Sequence, residues 1–202
     1  AQHNGKGFFP TPDQWLFHLK ADTIVAFFGY NESFDGPGRV ANFEAEVDAF
    51  ALHTLSKAYN GRTAPRLVLV SPIAFEDLSK QRDLPDGKAE NANLALYAAA
   101  MERVAQKRGL TYVDLFHPTL AAYGQGKTPY TINGFAPTDF GYREMAKLLA
   151  DGLFGATPRA SQADESLVNG AVKLKDYFWN CDYSIINGVH SHGQRSEEHT
   201  SE

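Results

Sequence analysis

Short continuous apolar runs alternate along this chain with longer segments whose apolar positions recur at helical spacing. Thr23-Ile24-Val25-Ala26-Phe27-Phe28, ended by Gly29, has the β-branched and aromatic content of a strand buried on both faces, which predicts a central parallel strand. Arg66-Leu67-Val68-Leu69-Val70-Ser71 repeats the pattern, and Thr111-Tyr112-Val113-Asp114-Leu115 gives a third strand. Between them, residues 41–59 carry Phe43, Val47, Phe50, Ala51 and Leu55 on one helical face, closed by Asn60-Gly61. Residues 91–108 place Leu94, Leu96, Tyr97, Ala100, Met101 and Val104 inward, and Gly109 stops that helix. Residues 138–152 form a capped amphipathic helix bearing Tyr142, Met145, Leu148 and Leu149. Ahead of the first strand, Thr11-Pro12-Asp13 reads as an N-cap with proline at the first helical position, the helix running to about Lys20. Strands alternating with helices predict a parallel sheet with helices on both faces.

Two segments stand outside this alternation. Residues 72–90, rich in Asp, Lys and Pro, form a long connection of the kind that carries function or moves. Residues 153–164 mark a boundary, followed by a helix over about 165–176 that leads to Tyr177-Phe178-Trp179. The expected organisation is a domain over 1–154, a helical C-terminal extension over 155–194, and a non-native tail over 195–202. The tail, Arg195-Ser196-Glu197-Glu198-His199-Thr200-Ser201-Glu202, resembles the in-frame translation of a sequencing adapter.

Composition adds exclusions. A chain of 202 residues, 43% hydrophobic and 21% charged, suits one domain with a sizeable core plus an appendage. The net charge of −5 comes from interspersed residues, so there is no basic footprint for nucleic acid. A small-molecule or carbohydrate partner fits better. Cys181 is the single cysteine, so an internal disulfide and a cysteine zinc cluster are excluded. No apolar run reaches the ~18 residues of a transmembrane helix, and localisation stays open, an exported or periplasmic protein included.

In open parallel sheets ligands bind beyond the carboxyl ends of the strands. That rule singles out Gly29-Tyr30-Asn31-Glu32-Ser33, Ser71-Pro72 and Leu115-Phe116-His117. Gly29 permits a tight turn at the strand end, and Asn31 then offers a side-chain NH₂ where an anionic oxygen could be held. Asn31-Glu32-Ser33 also matches the glycosylation sequon, a short match with little weight at a strand end.

Phe28-Gly29-Tyr30-Asn31-Glu32-Ser33 resembles the third signature block of the SGNH (GDSL-type) ester hydrolases, Gly-x-Asn-Asp/Glu after a central strand. Far downstream, Asn133-Gly134-Phe135-Ala136-Pro137-Thr138-Asp139-Phe140-Gly141-Tyr142 resembles that family's fifth block, Asp/Asn-Gly-Ile-His-Leu-Thr-x-x-Gly-Tyr, just before the final helix. The resemblance covers about residues 11–154 and is similar in phrasing to an environmental bacterial branch. It implies a three-layer α/β/α sandwich of the flavodoxin-like SGNH type, and a site made of Gly29, Asn31, Asn133 and Ala136. Asn31 takes the oxyanion role and no metal or cofactor is implied.

The departures from the family pattern are as specific as the match. Ala136 stands where the general-base histidine belongs, and a methyl group accepts no proton. Asn133 stands where the histidine-orienting aspartate belongs, so negative charge for an imidazolium is lost. The family's Gly-Asp-Ser nucleophile block is absent from the chain, as is the strand that should carry it, which predicts an N-terminally truncated domain. Ser33 and Ser71 are nucleophile candidates only in a rival scheme. His117 reads as a helix-start or surface residue, and His190-x-His192 as a polar tail segment rather than a metal pair. The expected function is a serine ester hydrolase domain, of esterase or carbohydrate O-deacetylase class, inactive as it stands. The alternative is a non-catalytic acyl- or carbohydrate-binding module derived from such an enzyme. A doubly wound nucleotide-binding domain is disfavoured by the lack of Gly-x-Gly-x-x-Gly and P-loop sequences.

Overall fold

The computed structural model describes residues 11–125, 128–155 and 161–183. Three strands, β1 (Thr23–Phe27), β2 (Arg66–Val70) and β3 (Thr111–Val113), form a parallel sheet in the order β1-β2-β3. The register sets Phe27 opposite Val70, and Val70 opposite Val113, so the three carboxyl ends share one edge. Helices α1 (Pro12–Leu19), α2 (Val40–Leu55), α3 (Lys88–Arg108), α4 (Phe116–Ala122) and α5 (Asp139–Phe154) complete this unit. Two 3₁₀ turns, Glu32–Asp35 and Pro37–Arg39, link β1 to α2.

The pleat explains the layers. Successive strand side chains point to opposite faces. Leu67 and Leu69 of β2 join Ala26, Phe43, Val47, Tyr97 and Met101 in a cluster with α2 and α3. Val68 and Val70 turn the other way and pack with Val113, Leu115 and the α5 residues Leu148, Leu149 and Leu153. Helices therefore cover both faces, as the alternation predicted, and the α/β fold class holds. The most deeply enclosed strand is β2, with Leu67 to Val70 all buried.

The position of β1 differs from the expectation of a central strand buried on both faces. Ile24 and Ala26 pack toward α2 and α3, whereas Val25 and Phe27 remain 37% and 56% exposed on the other face. Among the described residues no strand pairs with the outer edge of β1, and its second face is only partly covered. The continuous apolar run reported what β1 is suited to pack against rather than what the described residues supply.

Element ends follow local chemistry. Thr11 and Gln14 form a reciprocal capping box at α1, with Pro12 at the first position. Thr138 caps α5, its Oγ1 accepting from the Gly141 amide at 3.1 Å. The second helix stops at Leu55, before the Asn60-Gly61 closure expected from sequence; Ser56 caps it, its Oγ donating to the His53 carbonyl at 2.7 Å, and Asn60 organises a separate turn, its Oδ1 accepting from the Arg62 and Thr63 amides. The third helix begins at Lys88, three residues earlier than its apolar period indicated, and Leu96, read as inward, is 43% exposed while Leu94, Tyr97, Ala100, Met101 and Val104 are buried.

The chain divides into two compact units, residues 1–156 and 157–202. In the second, α6 (Gln162–Tyr183) is one continuous helix that takes in the aromatic cluster at 177–179 and is longer at both ends than expected. Cys181 is a free, exposed thiol on it. His190, His192, and residues 1–10 and 195–202 lie outside the described residues. No described helix is long and apolar enough to cross a membrane.

Candidate active site

At the carboxyl end of β1 the backbone turns at Gly29 with φ of 96°. The positive φ favours glycine, and a Cβ there would also press on Pro72 Cδ of the β2 loop at 3.3 Å. The Gly29 amide donates to Glu32 Oε2 at 2.9 Å. That amide is therefore occupied within its own turn, and Gly29 shapes the site rather than offering a free donor. Asn31 is exposed, and its side-chain amide makes no hydrogen bond with any described residue. Its two donors are available to a ligand.

Asn31 lines a crevice of about 710 Å³, within the usual size of small-molecule sites. Residues from all three strand ends reach it: Phe27 and Tyr30 from β1, Ser71 and Pro72 from β2, and Leu115 from β3. Phe135 and Pro137 close one side, and Tyr142, Met145 and Leu149 of α5 another. Two segments far apart in sequence, 27–32 and 135–137, thus meet at one crevice. Tyr30 and Phe135 stack directly, with ring centroids 4.8 Å apart and planes inclined by 28°. Burial, and next the nearby Glu90 carboxylate, push the Tyr30 hydroxyl up to about 12, so it stays a neutral donor at physiological pH.

The loop of residues 129–138 is built by its own polar residues. Thr131 and Pro137 form an antiparallel bridge, and the Ile132 amide donates to the Ala136 carbonyl at 2.8 Å. Asn133 Oδ1 accepts from the Ala136 amide at 2.9 Å, an Asx turn that engages the side chain within the loop. Neither Asn133 nor Ala136 lines the crevice, although Phe135 between them does. Gly134 has φ of 96°, and a Cβ on it would collide with the Phe75 ring. Gly141 likewise leaves no room for a Cβ beside the Tyr130 carbonyl. The glycines of the downstream motif are thus fixed by packing.

The two serines are both engaged structurally. Ser71 Oγ is buried, accepts from the Leu115 and Phe116 amides at 2.8 and 3.0 Å, and donates to the Pro72 carbonyl. It ties the end of β2 to the start of α4. Ser33 Oγ is buried and donates to the Tyr30 carbonyl at 2.6 Å. Neither has an imidazole among its described hydrogen-bond partners, which the activation of a serine requires. His117 sits in the first turn of α4, its Nδ1 2.7 Å from Asp114 Oδ2, with the ring largely exposed. Asp114 also accepts from the His117 amide, so the pair caps a short helix. No group of His, Cys, Asp and Glu among the described residues could hold a metal ion.

Three solved structures share this architecture. LAE5, an α/β hydrolase from the metagenome of Lake Arreo, aligns with a TM-score of 0.54 at 18% identity, over 70% of this chain and 64% of its own. Two mutant forms of Axe2 from Geobacillus stearothermophilus align at 13% identity. One, a tryptophan mutant of this acetyl-xylooligosaccharide esterase, gives a TM-score of 0.53 over 72% of this chain and 65% of that one. The other, a catalytic mutant of this acetylxylan esterase, gives 0.54 over 71% and 64%. The fold is the α/β fold that these hydrolases share. At these identities the likeness establishes the fold and nothing finer, and the chain spans just under two thirds of the length of these neighbours. No protein-family model matches the chain, and no curated protein matches it.

Sequence reasoning did not find Glu32 as the cap on the Gly29 turn, nor Glu76, which holds the 129–138 loop. The Glu32 signal was present, since a carboxylate three residues after a turn glycine can reach back to its amide.

Proposed function

We propose that this chain is the oxyanion and base-loop portion of an SGNH-type serine ester hydrolase, of esterase or carbohydrate O-deacetylase class, and that alone it has no turnover. The observation carrying this reading is the crevice lined by Asn31 and Phe135, where the two segments that resemble the family's blocks meet at the carboxyl edge of one parallel sheet. In the intact enzyme a serine at that edge attacks the ester carbonyl. A histidine takes its proton and returns it to the leaving alcohol, while the Asn31 amide and backbone N–H groups hold the oxyanion. On this reading a further strand bearing that serine pairs with the outer edge of β1, which is unpaired among the described residues.

Ala136 supplies no base and Asn133 no charge. An oxyanion donor without nucleophile and base retains only a small remainder, about a thousandfold over water in well-studied serine hydrolases. A second reading, binding of an acyl or sugar ligand without hydrolysis, is favoured by Ala136 itself and by the apolar lining from Phe27, Ile73, Phe135 and Met145.

The test is hydrolysis of p-nitrophenyl acetate. The unmodified chain and Ala136→His should both show no serine-dependent turnover. A chain with a grafted Gly-Asp-Ser strand segment and Ala136→His should gain it. Serine-dependent hydrolysis by the unmodified chain would refute the reading and direct attention to Ser33 or Ser71.

A further inference from the structure

Glu76 is an acidic residue with only 4% of its surface exposed, within the polar 72–90 connection. Its carboxylate has no cationic partner among the described residues. Instead, Oε1 accepts from the Tyr130 amide at 3.0 Å, and Oε2 accepts from the Thr131 amide at 2.7 Å and from Thr131 Oγ1 at 2.6 Å. Its own amide donates to the Gly134 carbonyl at 2.8 Å. One residue therefore grips the 129–138 loop at two separate points. Thr131 Oγ1 passes the contact on, accepting from the Gly134 amide at 3.1 Å. The adjacent Phe75 ring fills the space against Gly134.

The gripping segment is itself anchored. Ala74 donates to Thr119 Oγ1 of α4 at 2.9 Å, and Phe75 exchanges two bonds with the Asn91 side chain of α3, at 2.7 and 2.9 Å. The chain of contacts runs from two helices, through residues 74–76, to the loop that presents Phe135 to the crevice. A buried carboxylate is costly unless its lone pairs are satisfied, and here three donors satisfy them. A neutral apolar residue in its place would leave those three donors without acceptors. Residues 129–138 have only a two-residue bridge as regular structure, so this external grip is what fixes their geometry.

We infer that Glu76 is the positioning residue that fixes the 129–138 loop, positions 133 and 136 included, and so holds Phe135 against the crevice. It touches no reacting atom and acts through the loop. The meaning of positions 133 and 136 rests on the ester-hydrolase reading, but the grip itself does not.

Native-state amide exchange of the full chain tests it. In Glu76→Ala the Ile132, Gly134 and Ala136 amides should lose protection by roughly 10- to 100-fold, the cost of stranding a buried donor, while the Leu67 and Leu69 amides of β2 keep theirs. Glu76→Gln retains one acceptor oxygen and sets an NH₂ against a backbone donor, so it should loosen the same amides to a smaller degree. It also serves if Glu76→Ala fails to fold. In both variants the Tyr30 hydroxyl, whose ring stacks on Phe135, should titrate below its value of about 12 as that cover loosens. Equal loss in the loop and in β2 would make Glu76 a general stabiliser and overturn the inference, as would unchanged loop protection. Neither result bears on the hydrolase reading, which the turnover assay decides separately.

Discussion

At the scale of single residues, the same amino acid carries different costs according to what surrounds it. Gly29 and Gly61 both have positive φ, 96° and 76°, but a Cβ on Gly29 meets Pro72 whereas one on Gly61 enters open space. Gly61→Ala should therefore cost only backbone strain, about 1 kcal/mol, and Gly29→Ala more, about 2–3 kcal/mol, in urea unfolding. Tyr30 gives a pH signature. Its hydroxyl is raised to about 12 in the folded chain and is near 10 when unfolded, so the neutral phenol is favoured by folding. That contribution is full below about pH 10 and fades as pH climbs toward 12. Tyr30→Phe should remove this alkaline loss from a urea-midpoint series. Two features were legible at this scale by residue type and place: the tight turn at Gly29 and the position of Asn31 beside a crevice at a strand end. Glu76 was not, because an acidic residue in a polar loop has no period and nothing in sequence marks it as buried.

At the scale of elements, β1 and β2 were legible because continuous apolar runs ended by glycine or proline are specific, whereas β3 stops at Val113, short of the Thr111–Leu115 run read from sequence. Helix ends were less legible. The second helix stops at Leu55, where the Ser56 hydroxyl donates to the His53 carbonyl, a side-chain hydrogen bond that apolar spacing does not report. The pairing of α2 with α3 also came only from the fold. Asp48 of α2 receives Arg108 at 2.5 and 2.8 Å and Lys107 at 2.9 Å, and Glu44 receives Arg103 at 2.6 Å. The hydrogen bond from Arg108, and after it that from Lys107, hold the Asp48 carboxyl well below the usual carboxylate range. A carboxylate with its folded value depressed stabilises above its unfolded value, near 3.9, and loses that contribution as pH falls through the folded one. The stability gap between the wild-type chain and Asp48→Asn should accordingly be constant between about pH 5 and 8 and close below about pH 4. A gap that persists unchanged into acid would mean that the pair contributes through packing rather than charge.

At the scale of the molecule, the three-layer order was predictable from alternation alone, whereas the status of β1 was not, since a sequence states what a strand could bury but not whether a neighbour is present. Thr23-Ile24-Val25-Ala26-Phe27 carries no charge, proline or bulge to protect an edge, the devices by which natural edge strands avoid further pairing. Its outer face, Val25 and Phe27, continues into the crevice walled by Met145 and Leu149. These are properties of an interior strand. If β1 is interior to a larger sheet, as the proposed function requires, Phe27→Lys should behave differently in two settings. In the present chain Phe27 is 56% exposed, so the substitution should change stability by no more than about 0.5 kcal/mol, as at other surface positions. In a chain completed by a Gly-Asp-Ser strand segment, the same lysine is buried against the added element. An unpaired buried charge there should cost several kcal/mol and abolish the turnover gained with Ala136→His. Paired urea unfolding and p-nitrophenyl acetate assays read both effects. A lysine tolerated equally in both settings would show that β1 is a true edge, and that the serine-bearing strand, if one exists, joins the sheet elsewhere.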